Sequence, residues 1–568
     1  MSDSAHLLSA VARGPPIRGS YRPAMSASKH VIAAPHRGFT SETVRDCATI
    51  AGAAVVLAIV LRPFQNVPFI DDWGYAWPVQ HLLEKHEFLF PELLLNPIAA
   101  QVLWGALFCL PFGFSLTALR VSTWVLGTSA VVATYLLIRE SHGTRRDAAI
   151  GAAVLGLYPV FPTLSGTFMT DVPCLTAMLW SIWLFVRALN TRRVGLVWIS
   201  AATCAASVGC RIVGLGTAAA MIAVLLFHGD RWGRRPAVLA APVLVVPFGA
   251  WLFLWTRARV LISADITWLP NSPQQRLTNL RYALGAILPS MLAETLLMVL
   301  VLMGIALLPL AAGMMSRAKA RRIGLVFLLF AGAWGLAKSA GLAAWVPFQP
   351  DALWALREIG AAAPFVPGWQ PVNPPAWLSG CGVALALASA ATVVGARPRG
   401  ALNKGEIVLA WNFAAHLALV AVLWLTYDRY ALVFVPLTAV LVLVRRPALK
   451  MAPTIAALVA YGIIGLVGAH DQLEYNRALW SAVGDLRQAG IPPREIDGGY
   501  VVNGWLQYVH PDEAYRDASG KIVVPMVNDF ADLTYTVADR PIPNHSIVRT
   551  YGYSAWLRPS GSIYVLKR

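Results

Sequence analysis

The stretch 47-CATIAGAAVVLAIVLRP-63 runs directly into Phe64-Gln65-Asn66-Val67-Pro68-Phe69-Ile70-Asp71-Asp72-Trp73-Gly74-Tyr75, and this junction decides the fold. No charge interrupts the run between Cys47 and Leu61. It reads as a membrane-spanning helix whose end delivers two adjacent carboxylates to the interface. The rest of the chain agrees. Apolar residues make up 57% of its 568 residues, charged residues only 13%, and mean hydropathy is +0.59. Soluble domains carry about 25% charged residues. A chain this long with half that share lacks the polar surface to face water and is solvated mostly by lipid. Residues 1–45 are polar, basic and rich in Ser, Pro and Ala, and read as a disordered tail. A cleaved signal would place its apolar core nearer the start, so the first run reads as an uncleaved anchor.

Working outward, the loops set the topology. Six short connectors, 139–146, 187–193, 231–235, 317–322, 397–404 and 445–450, hold 19 of the 46 Lys and Arg residues. The positive-inside rule places all six, with the basic N-terminal tail, on the cytoplasmic side. The apolar run at 98–114 is broken by Pro111-Phe112-Gly113. If it crossed, the 139–146 cluster would face outward, so it reads as a juxtamembrane or re-entrant element. Spans are expected near 47–63, 118–138, 148–164, 172–189, 196–210, 212–228, 237–256, 284–313, 323–346, 376–395, 406–426, 431–444 and 451–469. The expectation is an all-α polytopic membrane protein of about 13 crossings, N-terminus cytoplasmic and C-terminus extracytoplasmic. The division is a tail at 1–45, a transmembrane domain at 46–469 with its first outer loop at 64–117, and a C-terminal α/β domain at 470–568. In that last part Leu479, Val483 and Leu486 form an amphipathic stripe ended by Gly490 and Pro492-Pro493. Short β-like pieces follow at Lys521–Pro525, Leu533–Val537 and Ser562–Leu566.

The formal charge of +17 lies in short clusters between apolar runs, which argues against nucleic acid as a partner. Cys47, Cys109, Cys174, Cys204, Cys210 and Cys381 lie in or beside apolar stretches without a CxxC, and read as small buried hydrophobes. His81 and His86 are five apart with Glu84 between them, unlike the i, i+4 pair of a helical zinc site. His416 and Lys338 fall within expected spans, where an interhelical hydrogen bond is the simplest role for the histidine.

The informative groups are the ionisable ones at the outer boundary. Asp71 and Asp72 follow the first span; Asp171, in Gly166-Thr167-Phe168-Met169-Thr170-Asp171-Val172-Pro173, precedes another and emerges on the same face. Converging carboxylates suit general-base work or a divalent cation. Each is also placed to cap a helix, Asp171 especially, since Pro is favoured in a first helical turn. Arg211 sits between the apolar runs Ala205–Cys210 and Ile212–Leu215, where a charge is costly unless paired, functional or snorkelling. Arg429 has Asp428 beside it as a local ion-pair partner.

Asp71-Asp72-Trp73-Gly74-Tyr75 resembles the acidic-pair-then-Tyr motif in the first outer loop of GT-C glycosyltransferases, of the family 39 group that includes protein O-mannosyltransferases and the bacterial lipid A aminoarabinose transferase. Thr167 to Pro173 resembles the second acidic site of that group, and Asp428-Arg429-Tyr430, in a stretch continuing to Pro436, a later motif of its bacterial members. Ile496-Asp497-Gly498-Gly499-Tyr500 and Asn503-Gly504-Trp505 are similar to that branch as well, so the resemblance covers nearly the whole chain after residue 45. It implies a sugar donor on polyprenyl phosphate, an acceptor hydroxyl or phosphate on a lipid, glycan or protein, and a single inverting displacement at the outer face of the inner or plasma membrane. Asp71 would act as general base, with Asp72 or Asp171 orienting the acceptor or holding a divalent metal where one is used. Tyr75, Asp428 and Tyr430 would contact substrate. A phosphate leaving group needs countercharge, for which Lys85, Arg211, Arg281 and Arg429 are the candidates on that face. No cofactor is implied beyond such a metal, and no Gly-rich nucleotide loop is visible. The competing class is a secondary transporter or lipid flippase, which would hold its ionisable groups near the midplane within repeated halves. A non-catalytic anchoring protein would have no use for clustered outer carboxylates.

Overall fold

The computed structural model describes residues 40–90, 98–228, 236–261, 299–316, 376–395, 400–421, 428–445, 447–520, 533–556 and 561–568, with a few isolated positions between them. By its contacts the chain divides into Met1–Val44 and Arg45–Arg568. The site and its supports belong to the second unit. The helices, in chain order, are α1 (Ser41–Leu61), α2 (Asp72–Lys85), α3 (Ala99–Cys109), α4 (Leu116–Glu140), α5 (Arg145–Gly156), α6 (Val160–Ser165), α7 (Asp171–Thr191) and α8 (Val194–Val208). They continue with α9 (Leu215–His228), α10 (Pro236–Leu261), α11 (Leu308–Met314), α12 (Ala376–Gly395), α13 (Lys404–Ala421), α14 (Phe434–Leu443) and α15 (Met451–Gln488). The protein is thus a helical polytopic membrane protein with a small C-terminal sheet.

Among the described residues α1, α4, α7 and α15 are long and apolar enough to cross a membrane. Their burial orders them: 78% of the apolar window of α7 is buried and 61% of that of α4, but only 6% of that of α1. The core is therefore built on α7, with α4 and α8 against it, and α1 stands at the edge. The expected single span at 148–164 is two pieces, α5 and α6, broken at Tyr158-Pro159. Proline has no N–H to continue the ladder, and Phe161 N–H turns to the Tyr158 carbonyl at 2.8 Å. The run at 98–114 holds α3, about 16 Å long and too short to span. It ends at Leu110, and Gly113 takes φ +79. Of the expected span at 284–313 the first half lies outside the described residues and 299–313 is mostly helical, while 323–346 lies almost wholly outside them.

The helix that holds the last expected span continues past 469. Helix α15 runs unbroken to Gln488, so a boundary at 470 falls inside one helix. Its stripe of Leu479, Val483 and Leu486 is buried against the sheet. The sheet order is β1 (Ile496–Asp497), β2 (Tyr535–Ala538), β4 (Gly561–Lys567), β3 (Ser546–Tyr553), with β1 parallel to β2 and the other pairs antiparallel. β2 and β4 fall where β-like pieces are expected, whereas β1 and β3 have no sequence counterpart. Of the expected piece at 521–525, the described Ile522 makes an isolated bridge to Arg516.

The C-terminal unit touches the loop after α1 through α2. Trp73, buried in α2, meets Tyr500 and Tyr508 edge-on at 5.6 and 5.5 Å between ring centroids. A Cβ on Gly504 would lie 2.4 Å from the Trp73 ring. Gly504→Ala is therefore expected to cost about 1–3 kcal/mol, read as a lower unfolding temperature in detergent. Unfolding at the wild-type temperature would show that the indole yields.

Candidate active site

The loop from Arg62 to Asp71 is held from two sides. From the bundle, Arg120 of α4, fully buried, donates to the Gln65 carbonyl (2.6 Å), the Val67 carbonyl (2.5 Å) and Asp72 Oδ2 (3.0 Å). From α15, Asn476 Nδ2 and Trp480 Nε1 both donate to the Pro68 carbonyl, at 3.1 and 2.9 Å. Asn66 Oδ1 accepts from Leu116 N–H at 2.9 Å, tying the loop to the start of α4. Ile70 adopts φ +53, a left-handed turn that launches α2.

This turn separates the two adjacent acids. Asp72 points inward: it is wholly buried, Oδ1 accepts from Phe69 N–H at 2.6 Å, and Oδ2 is paired with Arg120. Its carboxylate is an anchor for the loop and does not join Asp71. Asp71 occupies the N-cap position of α2, but its side chain makes no capping hydrogen bond. Its Oδ2 instead accepts from Arg429 Nη2 at 3.1 Å, across 358 positions of sequence. The capping role considered for Asp71 is not the one it plays.

Asp171 opens α7 and likewise caps nothing; the N-cap residue is Thr170, which makes no side-chain cap either. The carboxylate lies at the helix N-terminus, where the helix dipole favours negative charge, and is 5% exposed. Arg211 Nη1 donates to its Oδ1, and Arg429 Nε lies 3.9 Å from its Oδ2. Arg211 comes from the extended residue between α8 and the short 3₁₀ turn Ile212–Gly214. Arg429 comes from the turn Asp428–Val433 before α14. Neither is a lone snorkelling cation: Arg211 is paired with Asp171, and Arg429 with Asp71. The side chain of Asp428, expected as the partner of Arg429, lies outside the described residues.

Two tyrosines complete the cluster. The Tyr430 ring centroid is 4.7 Å from the Arg211 guanidinium carbon and 5.9 Å from that of Arg429, within cation–π range of both. Tyr75 stands one turn along α2 from Asp71. Burial, helped by Asp71, raises its phenol above the usual tyrosine range despite Arg429 and Arg211. It remains a hydroxyl donor at neutral pH. Beneath Asp171, Arg211 and Arg429 lies a cavity of about 40 Å³ that His416 of α13 also lines. His416 is buried with Nδ1 2.8 Å from the Asn412 carbonyl, a bond within its own helix, not between helices as expected. Its Nε2 has no partner among the described residues.

The structure thus brings Asp71, Asp171, Tyr75, Arg211, Arg429 and Tyr430 together and leaves Lys85 apart. Lys85 is exposed at the far end of α2, in a separate cleft with Trp77, Glu84 and His510. Arg281 lies outside the described residues. Among the described residues no three His, Cys, Asp or Glu side chains converge as metal ligands. Asp71 and Asp171 each face an arginine, so the donor set does not fit a divalent cation. Arg120 escaped notice in the sequence, although an arginine four residues into an apolar helix is itself a signal.

No curated protein matches the sequence. Among solved structures, ArnT from Cupriavidus metallidurans bound to undecaprenyl phosphate is similar with TM-score 0.40 and 13% identity, covering 91% of this chain and 97% of that one. Its apo state is similar with TM-score 0.38 and 13% identity, covering 93% and 98%. The protein O-mannosyltransferase Pmt1-Pmt2 complex of Saccharomyces cerevisiae bound to the sugar donor is similar over 39% of this chain, with TM-score 0.32 and 15% identity. That match takes in only 34% of the yeast chain. At the level of sequence families, residues 96–255 match the model described as dolichyl-phosphate-mannose-protein mannosyltransferase, a segment that contains Arg120, Asp171 and Arg211.

Proposed function

We propose that the protein is an integral membrane glycosyltransferase that moves a sugar from a polyprenyl-phosphate donor to an acceptor hydroxyl. The observation that carries this reading is the meeting of two carboxylates and two arginines from four distant chain segments at one end of the bundle. The family match over residues 96–255 supports it. Charges at helix ends, not at the midplane, favour transfer over transport. Arg211 and Arg429 are the countercharge for the donor phosphate. When that phosphate draws on Arg429, the Asp71 carboxylate loses its ion-pair partner and is left to accept a proton. The acceptor oxygen attacks the anomeric carbon, its proton passes to Asp71, and the bond to the phosphate oxygen breaks. The lipid phosphate leaves against the two arginines, which stabilise the charge it gains. One displacement inverts the anomeric centre. Asp171 holds both guanidinium groups in place, and the neutral Tyr75 hydroxyl is a donor to sugar or phosphate.

The test is incubation of the purified protein in lipid with a panel of polyprenyl-phosphate sugars, followed by mass spectrometry of envelope lipids, glycans and proteins as acceptors. Transfer that depends on Asp71 is the expected result; no transfer from any donor to any acceptor would count against the reading. A finer prediction concerns the arginines. A guanidinium grips phosphate with two parallel hydrogen bonds where an ammonium offers a point charge. Arg429→Lys and Arg211→Lys are each expected to raise the apparent donor KM by about tenfold, and the Ala variants by more. Wild-type donor dependence in both Lys variants would remove the arginines from donor binding.

A further inference from the structure

Where α1 stands at the edge of the bundle, a slot of about 670 Å³ separates it from α4, α5 and α6. Small residues make the room: Ala53 and Ala54 on α1, Gly127 on α4, and Ala153 and Gly156 on α5. The slot follows α1 from Asp46 to Val60. That is about 21 Å at the rise of an α-helix, most of a hydrocarbon core about 30 Å thick. The neighbouring outward residues Val55 and Ile59 are 58 and 68% exposed, so α1 is bathed in lipid on its outer side. Between the two ends the Thr49 and Thr128 hydroxyls and the Trp124 indole N–H are spent on backbone carbonyls, so the walls hold water poorly. In a bilayer such a slot fills with hydrocarbon.

One end is polar and basic. Tyr135 OH donates to Asp46 Oδ2 at 2.5 Å, and Arg145 donates to the same carboxylate through Nε (2.8 Å) and Nη2 (2.6 Å). Arg139, one turn of α4 beyond Tyr135, adds its field at Asp46. The Arg145 side chain is still 52% exposed. Arg45 and Arg146, the sequence neighbours of Asp46 and Arg145, are both exposed. Of the nearby acids, Glu140 is paired with Arg187, while Asp147 accepts from Thr144 in the capping box of α5 and keeps its charge. Arg45, Arg139, Arg145 and Arg146 outnumber Glu42, Asp46 and Asp147, which leaves this end of α1, away from Asp71, net cationic.

We propose that the slot is a binding site for one acyl chain of an anionic glycerophospholipid, its phosphate lying against Arg139 and Arg145. The charge of the mouth selects an anionic over a zwitterionic headgroup. Its position selects a structural lipid over the sugar donor, because a lipid anchored there by its phosphate belongs to the leaflet opposite the Asp71 cluster. The bound chain packs α1 onto the bundle and so steadies the loop that α1 feeds.

The full chain is reconstituted in a mixture of phosphatidylglycerol and phosphatidylcholine, extracted into mild detergent, and weighed by native mass spectrometry. Wild type is expected to retain one phosphatidylglycerol. Ala53→Trp and Ala149→Trp, which put bulk into or beside the slot, are each expected to cut retention about tenfold; Arg139→Gln is expected to erase the preference over phosphatidylcholine. A phosphatidylglycerol with a photoreactive acyl chain, applied to wild type, is expected to label α1 and α5. That labelling reads the site without any variant that misfolds. Labelling elsewhere, no retained lipid, full retention in both Trp variants, or equal retention of the two phospholipids by wild type would each overturn the proposal. So would slot labelling that polyprenyl phosphate displaces, since the slot would then hold the donor.

Discussion

Asp71→Asn is expected to lower the transfer rate by about 10²- to 10⁴-fold, the usual cost of removing a general base, while the protein unfolds near the wild-type temperature. Asparagine keeps the shape of the side chain and an oxygen for Arg429, and Asp171 still lies 3.9 Å from the Arg429 guanidinium. The cluster therefore keeps one of its two negative charges, and Arg429 is not stranded. The measurement is single-turnover transfer with donor saturating, alongside thermal unfolding in the same detergent. Asp171→Asn is the informative companion. With both arginines less firmly held, its defect should appear chiefly as weaker donor binding. Wild-type turnover in Asp71→Asn would move the base elsewhere, with Asp171 next in line.

The second large effect belongs to Arg120. Arg120→Met removes the donors to two loop carbonyls and leaves the Asp72 carboxylate buried without its partner. Breaking a buried pair from one side costs about 3–5 kcal/mol, several times what a surface ion pair contributes. Arg120→Lys should recover only part of it, because an ammonium does not span three acceptors in a plane as a guanidinium does. Adding Asp72→Asn to Arg120→Met should restore a good share, since no buried charge is then left uncompensated while Phe69 N–H keeps its acceptor. Unfolding transitions of the three proteins decide this. If Arg120→Met unfolds like wild type, the pair is not what holds the loop. If the double variant is no better than the single one, the lost carbonyl contacts dominate over the stranded charge.

Much of this was written in the order of residue types along the chain. The apolar run 47–61, the Pro111-Phe112-Gly113 break and the stripe Leu479, Val483, Leu486 each follow from local periodicity, and each has a matching element. Asp71, Asp171, Arg211 and Arg429 stood out because a charge beside an apolar run is expensive wherever it lies. What the sequence withheld was direction. Asp71 and Asp72 are adjacent and alike, but a helix turns about 100° per residue, so one faces Arg429 and the other Arg120. The pairing of Arg429 with Asp71, 358 positions away, has no local sign, whereas Asp428 beside it invited a local partner. The break between α5 and α6 was readable from Pro159 and Pro162, but the continuous hydropathy of 148–164 hid it. Strand β3, Ser546–Tyr553, escaped because its side chains are mostly exposed and show no alternation.

The unbroken α15 has a mechanical consequence. At 38 residues it is about 57 Å long, nearly twice the hydrocarbon thickness it crosses. One stiff rod therefore carries both the last span and the two side chains, Asn476 and Trp480, that grip the Pro68 carbonyl. No joint lies between the bilayer and that grip, so the outer part cannot swing as a lid while the span stays still. A change of tilt imposed by a thinner or thicker bilayer becomes, at the far end of the lever, a sideways displacement of the strand of chain that presents Asp71. The thickness of the surrounding lipid is thereby written into the aim of the carboxylate.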